Sequence, residues 1–256
     1  MAVIRVDNYI AAYGLRSQSK DIHELAARPD KKHLTDFVNR RILEALHPGA
    51  EDFLVDIGCG DASLLRMIAV SSVKSVGIVA TKEEESRLQS AFPGLLIKAG
   101  DARSLPLETG IATKVVCNAM LHYLPSEAAV RAALGEIKRV SRSSATIWIG
   151  EVPEIDEYSH FGIYRGTSML GFLWHLLRRN GTRSFFGMTR RWVKAVFGSE
   201  QIVLNSAGMF YATPDRIREM AETCGLRLTT FFRHKEVDAR GSVLESRFRY
   251  DYLFTV

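Results

Sequence analysis

The residues best able to do chemistry stand at the end of one apolar run, Phe53-Leu54-Val55-Asp56-Ile57-Gly58-Cys59-Gly60-Asp61. The pattern reads as a buried strand, a tight turn and the start of a helix. Gly58 and Gly60 accept positive φ and place no Cβ between the backbone and a bound molecule, so a ligand can lie directly on the turn. Asp61 can cap the helix that follows from Ala62 to Ile68, whose first N–H groups and positive dipole end face the same crevice. A dinucleotide phosphate site needs a third glycine three residues after the second, where this chain has Ser63. Asp56 also fixes an anion where a phosphate would have to lie. A carboxylate there favours a ligand with a cationic group, an ammonium or a sulfonium.

Further polar residues recur at the same phase of later elements. The spacing predicts strands over 75–79, 95–99, 113–117 and 145–149, with Asp101 just beyond the third strand of the core and Asn118 just beyond the fourth. Helices separate them: Thr81 and Glu84 form a capping-box pattern, and Ser126 or Glu127 opens a helix through Leu134, Ile137 and Val140. An amphipathic helix precedes the first strand, with Leu34, Phe37, Val38, Ile42 and Leu46 on one stripe. After Thr213-Pro214-Asp215 a helix runs to Gly225, and the stretches 226–232 and 246–254 read as a closing strand pair. Alternating strands and helices imply right-handed crossovers, hence an α/β fold with a doubly wound, mostly parallel sheet of seven strands. Ligands collect at the carboxyl ends of such strands, where Asp56, Gly58, Asp101 and Asn118 all fall.

At the acid-x-Gly-x-Gly of 56–60 the chain resembles the class I S-adenosylmethionine-dependent methyltransferases. The resemblance spans residues 50–150 by motif and 213–256 by pattern. It implies S-adenosyl-L-methionine as cofactor and a Rossmann-like fold, with Asp56, Gly58, Cys59 and Gly60 under the cofactor and Tyr13 folded over it from a leading helix. A Tyr there can equally pack its own helix onto the body. The resemblance puts the acid that receives the ribose hydroxyls at the second strand end, but this chain has Val79-Ala80. Glu83, Glu84 and Glu85 follow, and their plainer reading is a solvated helix start. Asp101-Ala102 take the place of the acid that reaches the adenine amino group, and Asn118-Ala119 run beside the methionine portion. Methyl transfer is an in-line displacement that mainly needs alignment and exclusion of water. A hydroxyl acceptor also needs a base, for which His122 is the candidate and His160 and His175 are alternatives. Tyr123, Tyr158, Tyr164 and Arg165 are the candidates for orienting substrate.

From this reading the chain divides into an N-terminal arm over 1–49, a cofactor-binding core over 50–151, a helical substrate-lid insertion over 152–211 and a terminal helix and hairpin over 212–256. The insertion carries Arg165, Arg178, Arg179, Arg183, Arg190, Arg191 and Lys194 between Tyr158 and Ser199 and no acid, while the whole chain has a net charge of only +5. That run favours an anionic acceptor, a small molecule or a sugar-containing or lipid-linked glycan. The leucines and aromatics around Leu170 to Leu177 cover too much of a helix to face water, so they pack on the core, on a second copy of the chain or on a lipid surface. Nucleic acid is the weaker partner, because no RNA-binding module is visible. Three cysteines without paired spacing and seven histidines without a cluster indicate neither disulfides nor a metal site, and no run reaches the roughly eighteen apolar residues a spanning helix needs. A cytoplasmic methyltransferase acting at an acceptor oxygen is the expectation. The alternatives are a non-catalytic protein of the same fold and an RNA methyltransferase.

Overall fold

A computed structural model describes residues 3–6, 9–19, 21–26, 32–69, 73–154, 202–205, 210–238 and 241–256, with isolated residues between 170 and 197. Along the chain these form β1 (Val3–Val6), α1 (Tyr9–Arg16), α2 (Lys32–Leu46), β2 (Phe53–Ile57), α3 (Ser63–Ile68), β3 (Lys74–Val79), α4 (Lys82–Ala91), β4 (Ile97–Ala99) and β5 (Ala112–Asn118). Then come α5 (Glu127–Val140), β6 (Ser141–Pro153), β7 (Ile202–Asn205), α6 (Pro214–Thr223), β8 (Arg227–Val237) and β9 (Val243–Thr255). Seven strands make one sheet in the order β4-β3-β2-β5-β6-β9-β8. All neighbours pair in parallel except β6 with β9 and β8 with β9.

Strand parity sorts the core into two layers. Val55, Ile57, Val115, Cys117, Ile147 and Ile149 face one side, covered by α5 and α6. Leu54, Val116 and Trp148 face the other, covered by α2, α3 and α4. Because successive strand residues alternate faces, Asp56 shares the side of Leu54 and is buried beside α2 and α3. The helices start where capping chemistry demands. Thr81 accepts from Glu84 N–H while the Glu84 carboxylate accepts from Thr81 N–H, completing the expected capping box. Thr213 accepts from Arg216 N–H, with Pro214 in the first turn.

The strand order reverses between β2 and β5. The chain winds from β2 outward to β4, then returns to start β5 on the other flank of β2. The crevice beyond the carboxyl ends of these two strands is the topological switch point. Two features depart from the sequence expectation. β6 runs on to Pro153 instead of ending at Ile149, and a two-stranded parallel sheet pairs β1 with β7. The second feature ties the N-terminal arm to the last part of the 152–211 insertion. Among the described residues, no helix is long and apolar enough to cross a membrane.

Candidate active site

The turn after β2 is built by its glycines. Gly58 stands at φ +79° and Gly60 at +55°. A Cβ on Gly58 would come 3.0 Å from Met120 Cγ, and one on Gly60 would come 3.1 Å from Ala26 Cα. The turn is therefore hemmed in on both flanks and admits no side chain. Gly58 and Cys59 donate their N–H groups to Ile78 O at 2.9 and 3.1 Å, which pins the turn to β3. Asp61 only partly does what was expected of it. The helix starts at Ser63, with Ala62 left-handed before it; Asp61 accepts from Ser63 N–H at 3.1 Å and pairs with His23 Nδ1 at 2.6 Å. Its main product is a clamp that draws residues 22–26 down beside the turn.

Above this turn lies a cavity of about 680 Å³, within the roughly 300–1,000 Å³ usual for small-molecule sites. Asp56, Gly58, Cys59, Gly60 and Asp61 line it from the turn, Thr35 and Asn39 from α2, and Tyr13 from α1. Asn118, Ala119, His122 and Tyr123 line it from the loop after β5, and Glu151, Glu236, Phe248 and Arg249 form the far wall. Val79, Ala80 and Glu84 meet Tyr13, Gly58, Gly60, Ala119 and Met120 around a smaller adjoining cavity of about 60 Å³. Tyr13 and Tyr123 make an edge-to-face pair with centroids 5.7 Å apart, and Arg16 stacks over Tyr13. Arg87 on α4 donates to the Arg16 and Ser17 carbonyls at 3.2 and 2.7 Å, latching the end of α1 to the body.

The electrostatics follow from burial. Asp56 is taken out of water and faces Asp61, and its carboxyl is pushed from 3.8 up to about 7. Glu84 is also raised to about 7 by burial, against the opposing pull of its bonds from Thr81. Burial, then Tyr123, raises the Tyr13 phenol, and burial beside Asp56 pushes the Cys59 thiol well up, so Cys59 is no nucleophile. These carboxyls sit where a cation would ionise them, and the left-handed glycines leave the turn bare. The residues present therefore fit a ligand that carries a positive group over a flat nucleoside.

The sequence-predicted residues divide as follows. Tyr13, Asp56, Gly58, Cys59, Gly60, Asn118, Ala119, His122 and Tyr123 converge on the large cavity, with Val79 and Ala80 on the small one. Asp101 and Ala102 line neither: Arg103 folds back on Asp101, its Nε 2.9 Å from Oδ1 and its Nη2 2.6 Å from Oδ2. Tyr158, His160, Tyr164 and Arg165 lie outside the described residues, as do His175, Arg179, Arg183, Arg191 and Lys194. Sequence reasoning missed Glu84 as a cavity residue and missed Glu151 and Arg249 entirely. An acid directly after an apolar run, the signal that marked Asp56, also marks Glu151 at Ile149-Gly150-Glu151. Among the described residues no group of His, Cys, Asp and Glu is disposed to hold a metal ion.

Fold and cavity together describe a doubly wound α/β protein with a cavity at the switch point. Residues 55–149 match the family described as "Methyltransferase domain". That match supports a class I S-adenosylmethionine-dependent methyltransferase, for which S-adenosylmethionine is the implied methyl donor. Solved structures share the fold at low identity. An S-adenosylmethionine-dependent methyltransferase of Methanosarcina mazei is 15% identical at a TM-score of 0.56, covering 84% of this chain and 96% of its own. A chain of the Haloferax volcanii complex between the Trm112 methyltransferase activator and a methyltransferase is 14% identical at 0.60, covering 93% and 98%. The [4+2]-cyclase SpnF is 13% identical at 0.58, covering 91% and 78%. No curated protein matches the sequence.

Proposed function

We propose that this enzyme methylates an oxygen of a small-molecule or glycan acceptor in the cavity above the Gly58–Gly60 turn. The observation that carries the reading is the pairing of that bare turn with buried carboxyls, Asp56 foremost, around one cavity at the switch point. Asp56, Gly58, Cys59 and Gly60 form the shelf for the cofactor, Asn118 and Ala119 flank its amino-acid end, and Tyr13 closes over it. Val79 and Ala80 mark the ribose side, where Glu84 is the carboxyl nearest to the role that Val79 cannot fill. Asp101 and Ala102 keep the adenine side by resemblance alone, with Arg103 competing for the carboxylate. S-adenosylmethionine, when bound, supplies a methyl group made electrophilic by its sulfonium. The protein's part is to hold donor and acceptor in line and to exclude water. His122 and Tyr123 line the same cavity, and His122 is one candidate for the base.

The insertion over 152–211 serves as the lid. Its described residues Leu170, Trp174, Phe186 and Phe197 are exposed, with Arg178 stacked on Trp174. Apolar and cationic groups side by side favour an acceptor, a second copy of the chain or a lipid surface with anionic character remote from the reacting oxygen. Tyr158, His160, Tyr164 and Arg165 enter here as acceptor contacts. Free, buried Cys59 and Cys117 accord with a reducing compartment such as the cytoplasm. Calorimetric titration with S-adenosylhomocysteine tests the reading: saturable binding with thermal stabilisation is expected. Silence at millimolar ligand removes it and favours the non-catalytic alternative, to which Val79 lends its weight.

A further inference from the structure

Resting on the proposed methyl transfer, we infer that Glu151 and His234 form a shared proton site on the wall of the cavity, which receives the proton released by a hydroxyl acceptor.

The sequence forces Glu151 out of the sheet. β6 pairs Ile149 with Tyr252 and Val152 with Tyr250, so Gly150 and Glu151 together stand opposite Asp251 as a bulge. Glu151 has φ +57°, a conformation rare for a residue with a side chain, and its N–H leaves the ladder to bond Asp251 Oδ1 at 2.9 Å. Gly150 is required beside it: a Cβ there would lie 2.1 Å from Asn118 Oδ1. Asn118 Oδ1 accepts from Trp148 Nε1 at 3.2 Å, which turns its amide N–H toward Glu151 Oε1 at 3.0 Å. Arg249 Nη1 donates to Glu151 Oε2 at 2.9 Å. Glu151 is thus held at the cavity by residues of the two neighbouring strands, β5 and β9.

Behind it stands His234, whose Nδ1 lies 2.9 and 3.0 Å from the two oxygens of Asp251. An ionised carboxylate only accepts, so Nδ1 carries the hydrogen and Nε2 presents its lone pair. Nε2 has no hydrogen-bond partner, is buried, and faces Glu151 Oε1 at 3.9 Å. Two acceptors that face each other out of water define a place for one proton, which would draw them together. The surrounding charges allow it. Glu151 and Asp251 are matched by Arg249 and by Arg41, whose Nη1 is 3.8 Å from Asp251 Oδ2, and Glu236 Oε1 lies 3.7 Å from Arg249. With a neutral imidazole the set is close to balanced, so it can take one added proton between two carboxylates.

The step balances. The acceptor oxygen forms its bond to the methyl carbon as the carbon–sulfur bond breaks. The O–H proton passes to Glu151 and is shared with His234 Nε2, and S-adenosylhomocysteine leaves as a neutral thioether. Glu151 contacts the acceptor and is a catalytic residue; His234, Asp251 and Arg249 are positioning residues. The reacting group must then be a neutral hydroxyl, since an anion would meet Glu151 and Glu236.

The test uses the full chain saturated with S-adenosylhomocysteine and ¹⁵N-labelled at histidine. His234 is expected to show hydrogen on Nδ1, and Glu151→Gln should lower the proton affinity of Nε2 at least tenfold. Phenol, a neutral O–H probe, should shift the His234 ring signals in the native chain and bind at least tenfold more weakly to Glu151→Gln, while benzoate leaves them in place. Should Glu151→Gln fail to fold, His234→Gln replaces it, with the same drop in proton affinity read at the Glu151 ¹³C carboxyl. Unchanged protonation in the variant, silence to phenol, or an equal response to benzoate overturns the inference. Saturable S-adenosylhomocysteine binding is expected in the native chain. Loss of that binding in the native chain would instead sink the methyltransferase reading itself.

Discussion

Replacing Asp56 by Asn should make the protein more stable and a poorer binder, and the two effects should share one pH dependence. Burial beside Asp61 lifts the Asp56 carboxyl from 3.8 to about 7. An unfolded chain therefore releases this proton near pH 4, while the folded chain keeps it until near pH 7. The unfolded state binds fewer protons across that window, so the contribution of Asp56 to stability is highest below about pH 4, falls as pH rises toward 7 and is flat above. At about 1.36 kcal/mol per pKa unit, the ionised, buried Asp56 costs about 4 kcal/mol at pH 8. Asn keeps the shape without the charge, so Asp56→Asn should gain about 2–4 kcal/mol at pH 8 and almost nothing at pH 4. In a domain of this size each kcal/mol moves Tm by about 2–4 °C, so calorimetry at the two pH values resolves the difference. The native chain should also bind S-adenosylhomocysteine about tenfold more tightly at pH 8 than at pH 6, because the ionised fraction of a group titrating near 7 rises about tenfold over that range. Glu84 titrates near the same pH, so only the difference between native and variant belongs to Asp56. A variant no more stable at pH 8 than at pH 4, relative to native, would refute the burial argument. Undiminished ligand affinity at pH 8 would refute the contact with a cationic group.

Gly58→Ala should lose about 1–2 kcal/mol of stability, since φ +79° penalises any Cβ and Met120 stands 3.0 Å away; urea unfolding reads the loss, and titration should show S-adenosylhomocysteine weakened more than tenfold. Val79→Asp restores a carboxylate at the end of β3, and a charged hydrogen bond worth about 1.5–3 kcal/mol should tighten S-adenosylhomocysteine tenfold or more at pH 8; no gain would show that the ribose hydroxyls lie elsewhere. Arg103→Ala removes one charged partner of Asp101, a pair worth about 0–1 kcal/mol, so adenosine should bind up to about fivefold better by calorimetry, and unchanged binding would speak against Asp101 as a contact.

What the sequence made legible was local. The continuous apolar run into Gly58 and Gly60 delimits β2 at Phe53–Ile57, and hydroxyl caps at Thr81, Ser126 and Thr213 mark three helix starts. Such signals are complete within a few residues. What stayed hidden depends on partners far along the chain. Gly150-Glu151 reads as the end of a strand, yet β6 continues through it because Asp251, 100 residues later, takes the Glu151 N–H and absorbs the bulge. β1 and β7 pair across nearly two hundred residues of sequence with too few residues each to show a periodicity. Asp101 is a different case. Its competitor Arg103 is two residues away, and only side-chain geometry decides between a turn salt bridge and a ligand contact. Glu84 was legible as a cap and is one; that it also borders the smaller cavity follows from the closure of Tyr13 over α4, which no helical period encodes.

The fold alone does not choose the reaction, since a methyltransferase and a [4+2]-cyclase share it with this chain at TM-scores of 0.56 and 0.58. The Glu151–His234 pair bears on the choice. A cycloaddition makes its bonds by reorganising electrons and releases no proton, so it has no use for two buried acceptors held face to face. Methylation of a hydroxyl must dispose of one proton for every methyl group moved. Glu151 and His234 wait 3.9 Å apart, fixed by Asn118, Arg249 and Asp251, at an edge of the same cavity that the cofactor shelf opens into. A site built at the expense of a strand bulge and a left-handed glutamate is hard to account for in a protein that only binds. The hydroxyl methylation proposed above accounts for it, as a transfer that leaves a proton behind.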